Sequence, residues 1–185
     1  MFELDRFVEE CKSAYAEDSS HKSVREVIAR AVADPGDVIQ DLGEPTVGGV
    51  HKLYHSPTLT ILNVVWAPRM TLLPHNHNMW AVIGVYSGRE DNIFWRRVED
   101  EDGAQIEAAG AKTMAPGMAT PLGHDIIHSV TNPTDLYTAA LHVYGGDFYD
   151  AHRSEWEPEH LTERPFDYEQ NTRRFEIANE AAHLA

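Results

Sequence analysis

Four short β-rich runs dominate the middle of this 185-residue chain: TLTILNVVW (58–66), MWAVIGVYSG (79–88), NIFWRRV (92–98) and LYTAALHVYGG (136–146). Around and between them lie HSP, APR, EDEDG, APG, PLG and NPTD, segments built from the residues that turns require. Several short strands punctuated in this way predict an all-β sandwich or barrel. The texture begins near Val50, and helical spacing does not return until after Asp150.

The flanks read differently. Residues 2–16 place Phe2, Leu4, Phe7, Val8, Cys11, Ala14 and Tyr15 on a helical period. A second helix is expected over 22–32, with Val24, Val27, Ile28 and Ala31 inward, ended by the DPG at 34–36. A short helix follows, up to Gly43. These are structural elements, each with an apolar face and solvated charges opposite. The last 35 residues are polar and charged, and a terminal helix is expected from Thr172. The layout is one domain: a helical segment (1–45) packed on a barrel (46–150), with a C-terminal extension (151–185).

Charge narrows the partners. Thirty acidic and 15 basic side chains give a formal net charge of −15, the wrong sign for nucleic acid or an anionic membrane. An anionic small molecule would have to be received by a local cation, because the field of the whole protein repels it. The single cysteine, Cys11, excludes an intramolecular disulfide, and the acidic N-terminus lacks the basic start and apolar core of a signal peptide. No apolar run approaches a membrane span. The expected compartment is the cytoplasm.

The stretch PHNHNMWAVIGVYSG (74–88) puts His75 and His77 two apart at the start of a predicted strand, where i and i+2 share a face. His128, in HDIIHSVTN, sits in a second strand-like stretch. Neutral imidazole is the commonest protein metal ligand. With eleven histidines in 185 residues, chance pairing is the competing explanation. His124 and His128 are four apart, as in a zincin helix, but Asp125 stands where that motif needs Glu, and the context is strand and turn. His124 therefore reads as a rim residue.

Pro74, the HxH pair, Gly88 and the later His128-x-x-x-Asn132 resemble the two-motif pattern of the cupins over about residues 50–150. That resemblance implies a double-stranded β-helix, a jelly-roll barrel, here with N-terminal α-helices. Usual cupins add a glutamate near position 81; this chain reads Trp80-Ala81-Val82. The implied site is three histidines without a carboxylate, more positive than the two-histidine-one-carboxylate iron site, and suited to an anionic, soft ligand such as a thiolate.

His142 and Tyr144, two apart in AALHVYGGDF, extend the likeness. The cysteine dioxygenase family carries Ser-x-His-x-Tyr at this place, where it hydrogen-bonds toward the bound oxygen or substrate. Here the trio is Ala140, His142 and Tyr144, without the serine. Trp66, nine residues before His75, fits the family's spacing. The chain is most similar to the bacterial branch, the 3-mercaptopropionate dioxygenases. In that branch an arginine nine residues past the tyrosine binds the substrate carboxylate, a position held here by Arg153. Arg89, Arg96 and Arg97 compete with it, and the alternative for Arg153 is a surface salt bridge with Asp150, Glu155 or Glu157. The spot used by the animal-type enzymes lies near His51 and Lys52 and is not an arginine. Their Cys–Tyr crosslink is excluded, since Cys11 lies far from the motif. Trp80 is expected to wall the pocket, and Tyr86 to pack in the core.

The resemblance implies Fe(II) at His75, His77 and His128, with a small thiol carboxylic acid and O2 as reactants and a sulfinic acid as product. Two other readings stay open. One is a three-histidine cupin acting on a thiol-free substrate, by C–C cleavage, isomerisation or elimination. The other is a binding protein without catalysis.

Overall fold

The computed structural model describes residues 1–98 and 105–184, so the expected EDEDG turn at 99–103 lies outside the described residues. Three helices come first: α1 (Leu4–Glu17), α2 (His21–Ala31) and α3 (Pro35–Leu42). Their starts and stops are chemical. The Ser20 hydroxyl accepts from the Lys22 amide at α2, and Asp34 caps α3 just ahead of Pro35. Gly43 then leaves α3 at φ 85°, a conformation open to glycine.

Two antiparallel sheets follow. One has the order β1 (Gly49–His55), β2 (Thr60–Trp66), β9 (Thr138–Tyr144), β4 (Ala81–Ser87), β7 (Ala119–Leu122). The other runs β11 (Glu163–Pro165), β10 (Ser154–Trp156), β3 (Thr71–Asn76), β8 (Ile127–Thr131), β5 (Glu90–Arg97), β6 (Ile106–Met114). Neighbours far apart in sequence, such as β2 with β9 and β3 with β8, give the interleaved order of a jelly roll. The chain folds as a cupin-type double-stranded β-helix, as the sequence predicts.

The three central strands of the five-stranded sheet are buried on both faces, which is why β2, β4 and β9 read as continuous apolar runs, whereas the edge strand β1 is largely exposed. Outward residues Ile61, Val65, Val82, Tyr86, Leu141 and Val143 pack under the three helices. Inward residues Leu62, Val64, Trp66, Ala81, Ile83 and Ala140 face the second sheet. The helices sit close: a Cβ on Gly84 would lie 2.3 Å from Ile28 Cγ2. Tyr86 belongs to this packing, its hydroxyl donating to Asn63 Oδ1 at 2.9 Å. Cys11 is buried there too, and burial pushes its thiol up to about 12.

Two expectations need correction. The HxH pair does not open the strand that follows it. β3 ends at Asn76, Asn78 turns the chain at φ 52°, and β4 starts only at Ala81, so the pair straddles the end of β3. The polar tail also contributes more than a helix. It adds β10 and β11 to the second sheet, and its helix α4 (Tyr168–Leu184) begins four residues before the expected Thr172. α4 lies against the β1–β2 edge of the first sheet. It is fixed by stacking of Phe175 on Trp66 at 5.5 Å and by reciprocal bonds between Asn179 and the Gly48 backbone at 2.7 and 2.9 Å. No described helix is long and apolar enough to cross a membrane.

Candidate metal centre

His75 and His128 are cross-strand partners on β3 and β8. A bulge between Leu72 and His75, at a strand position that Pro74 occupies without an amide donor, lets Leu72 and His75 line the same cavity although three apart. His77 reaches it from just beyond the strand. The three rings are buried, and their ligand atoms lie within 4.8 Å of one another.

Each outer nitrogen explains the inner one. His75 Nδ1 lies 2.8 Å from the Leu73 carbonyl and His128 Nδ1 lies 2.7 Å from Asn92 Oδ1, so both donate outward and keep Nε2 for an ion. His77 Nε2 stands 3.4 Å from His128 Nε2. Two nitrogens bound at about 2.1 Å to one ion lie roughly 3.0–3.4 Å apart, so this pair is spaced for a single metal, with a His75 ligand atom within 4.8 Å of both. Burial pushes His75 down to about 4, with the Arg153 cation adding to the effect against the opposing Leu73 carbonyl. Burial and the neighbouring histidines hold His77 and His128 well below the usual imidazole range. All three are neutral at physiological pH, the form a metal needs.

Behind His128 runs a polar chain that the sequence reading missed. Asn92 Nδ2 donates to Glu90 Oε1 at 2.9 Å, and Trp66 Nε1 donates to Glu90 Oε2 at 3.1 Å. Glu90 is 0% exposed, and burial raises its carboxyl to about 7 against these two donors. His142 Nε2 faces the same oxygen at 3.9 Å, beyond hydrogen-bond reach, and has no hydrogen-bond partner among the described residues. Its other nitrogen, Nδ1, lies 3.0 Å from the Tyr144 hydroxyl. Burial pushes His142 down to about 3 and raises Tyr144, so a neutral imidazole meets an intact phenol. A carboxylate at Glu90 favours the proton on Nε2, which leaves Nδ1 to accept from the tyrosine. Tyr144 in turn packs edge-on against His77, centroids 5.0 Å apart.

Arg153 is 6% exposed, and its guanidinium carbon lies 4.0, 4.3 and 4.9 Å from the ring centroids of Phe148, Phe166 and Tyr168. Its Nε and one Nη are buried without a hydrogen-bond partner among the described residues. The expected alternative, a surface salt bridge, is not what holds it. The competing arginines are engaged elsewhere: Arg89 with Asp91, Arg96 with Glu107, Arg97 with Glu163. The asparagines interleaved with the histidines fix Arg153 in place. Asn76 Oδ1 accepts from the Ser154 amide at 2.8 Å, and Asn78 Nδ2 donates to the His152 carbonyl at 2.7 Å.

The cavity, about 320 Å³, is lined by His75, His77, His128, His142, Tyr144 and Arg153 together. Trp80 lies outside it, contrary to expectation. The side chain turns to the N-terminal helices, donating to the Ser19 carbonyl at 3.0 Å beside Tyr15, because β4 puts its neighbours Ala81 and Ile83 inward instead. His124 is exposed in the turn before β8 beside Asp125. Asn132 is a corner staple, donating to the carbonyls of Trp66, Ala67 and Leu136.

Alternation could have revealed Glu90 and Asn92, two apart in β5, but nothing in the sequence separates them from the exposed charges around them. No family model matches the chain. Solved structures are similar to parts of it at low identity. The DMSP lyase DddQ from Ruegeria pomeroyi DSS-3 is 16% identical over 60% of this chain and 52% of that one, TM-score 0.47. A conserved protein with a double-stranded β-helix domain from Klebsiella pneumoniae is 11% identical over 60% and 86%, TM-score 0.46. An RmlC-like cupin family protein from Methanocaldococcus jannaschii is 12% identical over 56% and 84%, TM-score 0.44. The chain spans about half the length of the lyase.

Proposed function

We propose that the protein is an Fe(II)-dependent thiol dioxygenase that converts a small thiol carboxylic acid and O2 into the sulfinic acid, RSH + O2 → RSO2H. The observation that carries this reading is Arg153. A buried guanidinium with unpaired N–H groups, opening on the same cavity as three neutral histidines, is built to receive a carboxylate in a protein whose overall charge repels one.

Iron held by His75, His77 and His128 would bind the sulfur as thiolate and supply the redox chemistry with O2. The chain's own share is positioning and electrostatics. Arg153 grips the carboxylate in two parallel hydrogen bonds and so aims the sulfur at the histidines. Tyr144, held by His142, presents its hydroxyl beside His77 and can hydrogen-bond the reactants there. The partly buried rings of Phe148 and Phe166 pack over the guanidinium and shield it from water, which strengthens its hold. The same reading assigns the protein to the cytoplasm, where thiols stay reduced.

The test is oxygen uptake by iron-loaded protein offered 3-mercaptopropionate, cysteine and cysteamine. Sulfinate from the carboxylated thiols is expected; silence on all three with iron confirmed present removes the reading. One observation favours a second reading, a metal-dependent reaction on a thiol-free substrate: Ala140 stands where the family serine would contact His142, leaving that imidazole's Nε2 unpaired. Turnover that does not depend on a thiol would establish it.

A further inference from the structure

A three-carbon thiol acid occupies only one end of this cavity. Beyond the histidines the space continues beneath α4, between Leu72 and Val130 of one sheet and Val64 and Trp66 of the other, with Phe175 as its roof and Val50 near its far end. All six are apolar. Both Tyr168, packed against Arg153, and Asn179 line the cavity. They are eleven residues apart on α4, which at 1.5 Å per residue is about 16 Å. The sulfur-to-oxygen reach of extended 3-mercaptopropionate is about 5 Å. Asn171, Thr172 and Glu176 of α4 add polar groups along one side, but water against the apolar sheet-side walls would be poorly satisfied, and displacing it there with hydrocarbon is favourable.

Arg153 lies at the Tyr168 end, the histidines come next, and the apolar slot runs on toward Asn179. We propose that the substrate is a 3-mercapto acid whose sulfur-bearing carbon carries an apolar chain of several carbons that lies in the slot beneath α4. The sulfur and carboxylate assignments rest on the dioxygenase reading; the slot rests on the cavity's shape and lining alone.

Oxygen uptake by the iron-loaded protein with 3-mercaptopropionate, 3-mercaptobutanoate, 3-mercaptohexanoate and 3-mercapto-octanoate tests it. The expected result is a kcat/KM that rises about fourfold for each methylene buried, until the slot is full. A value that is flat or highest with 3-mercaptopropionate overturns the proposal while leaving the dioxygenase reading intact. Calorimetric binding of propionate, hexanoate and octanoate to the same protein decides the slot independently of turnover. Tighter binding with each methylene supports it even if every thiol proves inert, and equal affinities refute it. Val130→Phe, or Leu72→Phe should the first variant not fold, narrows the slot. Either should lower the octanoate-to-propionate affinity ratio at least tenfold, and an unchanged ratio places the chain elsewhere and overturns the proposal.

Discussion

Two buried ionisable groups lie near the histidines, and they are treated in opposite ways. Glu90 has both oxygens engaged, by Asn92 and Trp66, and its carboxyl is raised to about 7. Arg153 is surrounded by three rings, and buried N–H groups are left open. A polar group whose partners are all inside the protein holds structure; one whose partners are missing awaits a ligand. Glu90 belongs to the architecture that aims His128; Arg153, under the proposed reading, is left to receive a carboxylate.

Substitution should separate them. Glu90→Leu strands the Asn92 and Trp66 donors at about 1–3 kcal/mol each, so the unfolding free energy should fall by roughly 2–6 kcal/mol in chemical denaturation. A neutral result would mean that Glu90 is no keystone. Arg153→Met should do the reverse. Stability should change by less than about 1 kcal/mol, because lost ring contacts are offset by the relief of an unpaired buried charge. At the same time kcat/KM for 3-mercaptopropionate should drop roughly 30-fold or more, with cysteamine affected far less. Equal losses on both thiols would take Arg153 out of the substrate site. Asn92→Leu tests the link between Glu90 and the histidines. Metal affinity, measured against a competing chelator, should weaken by about 10–100-fold.

The smallest effect is the pH response. His75, near 4, and His142, near 3, take up protons less readily folded than unfolded, where imidazole titrates near 6.5. Between those values the unfolded chain binds more protons, so stability should fall as pH drops below about 6.5. Glu90, raised to about 7, acts oppositely between about 4.5 and 7, and one carboxyl only partly offsets the buried imidazoles. Thermal melts from pH 7 to pH 5 that stay level would show that the rings are not held neutral.

The fold was legible where patterning was strong. α1, α2 and α3 followed from apolar spacing and the DPG break, and β2, β4 and β9 from their apolar runs. β10 and β11 were hidden because SEW and ERP are short and polar, and only the pairing of β10 with β3 and of β11 with β10 makes them strands. In the site, His75, His77 and His128 could be read together because metal ligation demands a particular residue type. Arg153 was singled out by its distance from Tyr144, yet its aromatic surroundings come from two places, Phe148 before it and Phe166 with Tyr168 after it, that no local spacing connects to it. Trp80 misled because an aromatic next to a metal motif looks like a pocket wall, while strand parity turns it to the helices. Glu90 was invisible because burial of an acid is a tertiary fact.

The asparagines at 76 and 78 carry one more consequence. They bolt the backbone on either side of Arg153 to the very residues that flank His77, so in the proposed dioxygenase the sulfur grip and the acid grip would form the two jaws of one calliper. Thiol acids would then be sorted by the number of carbons between their two functional groups. Evolving a new gauge would require changing the asparagine fastenings, not the arginine.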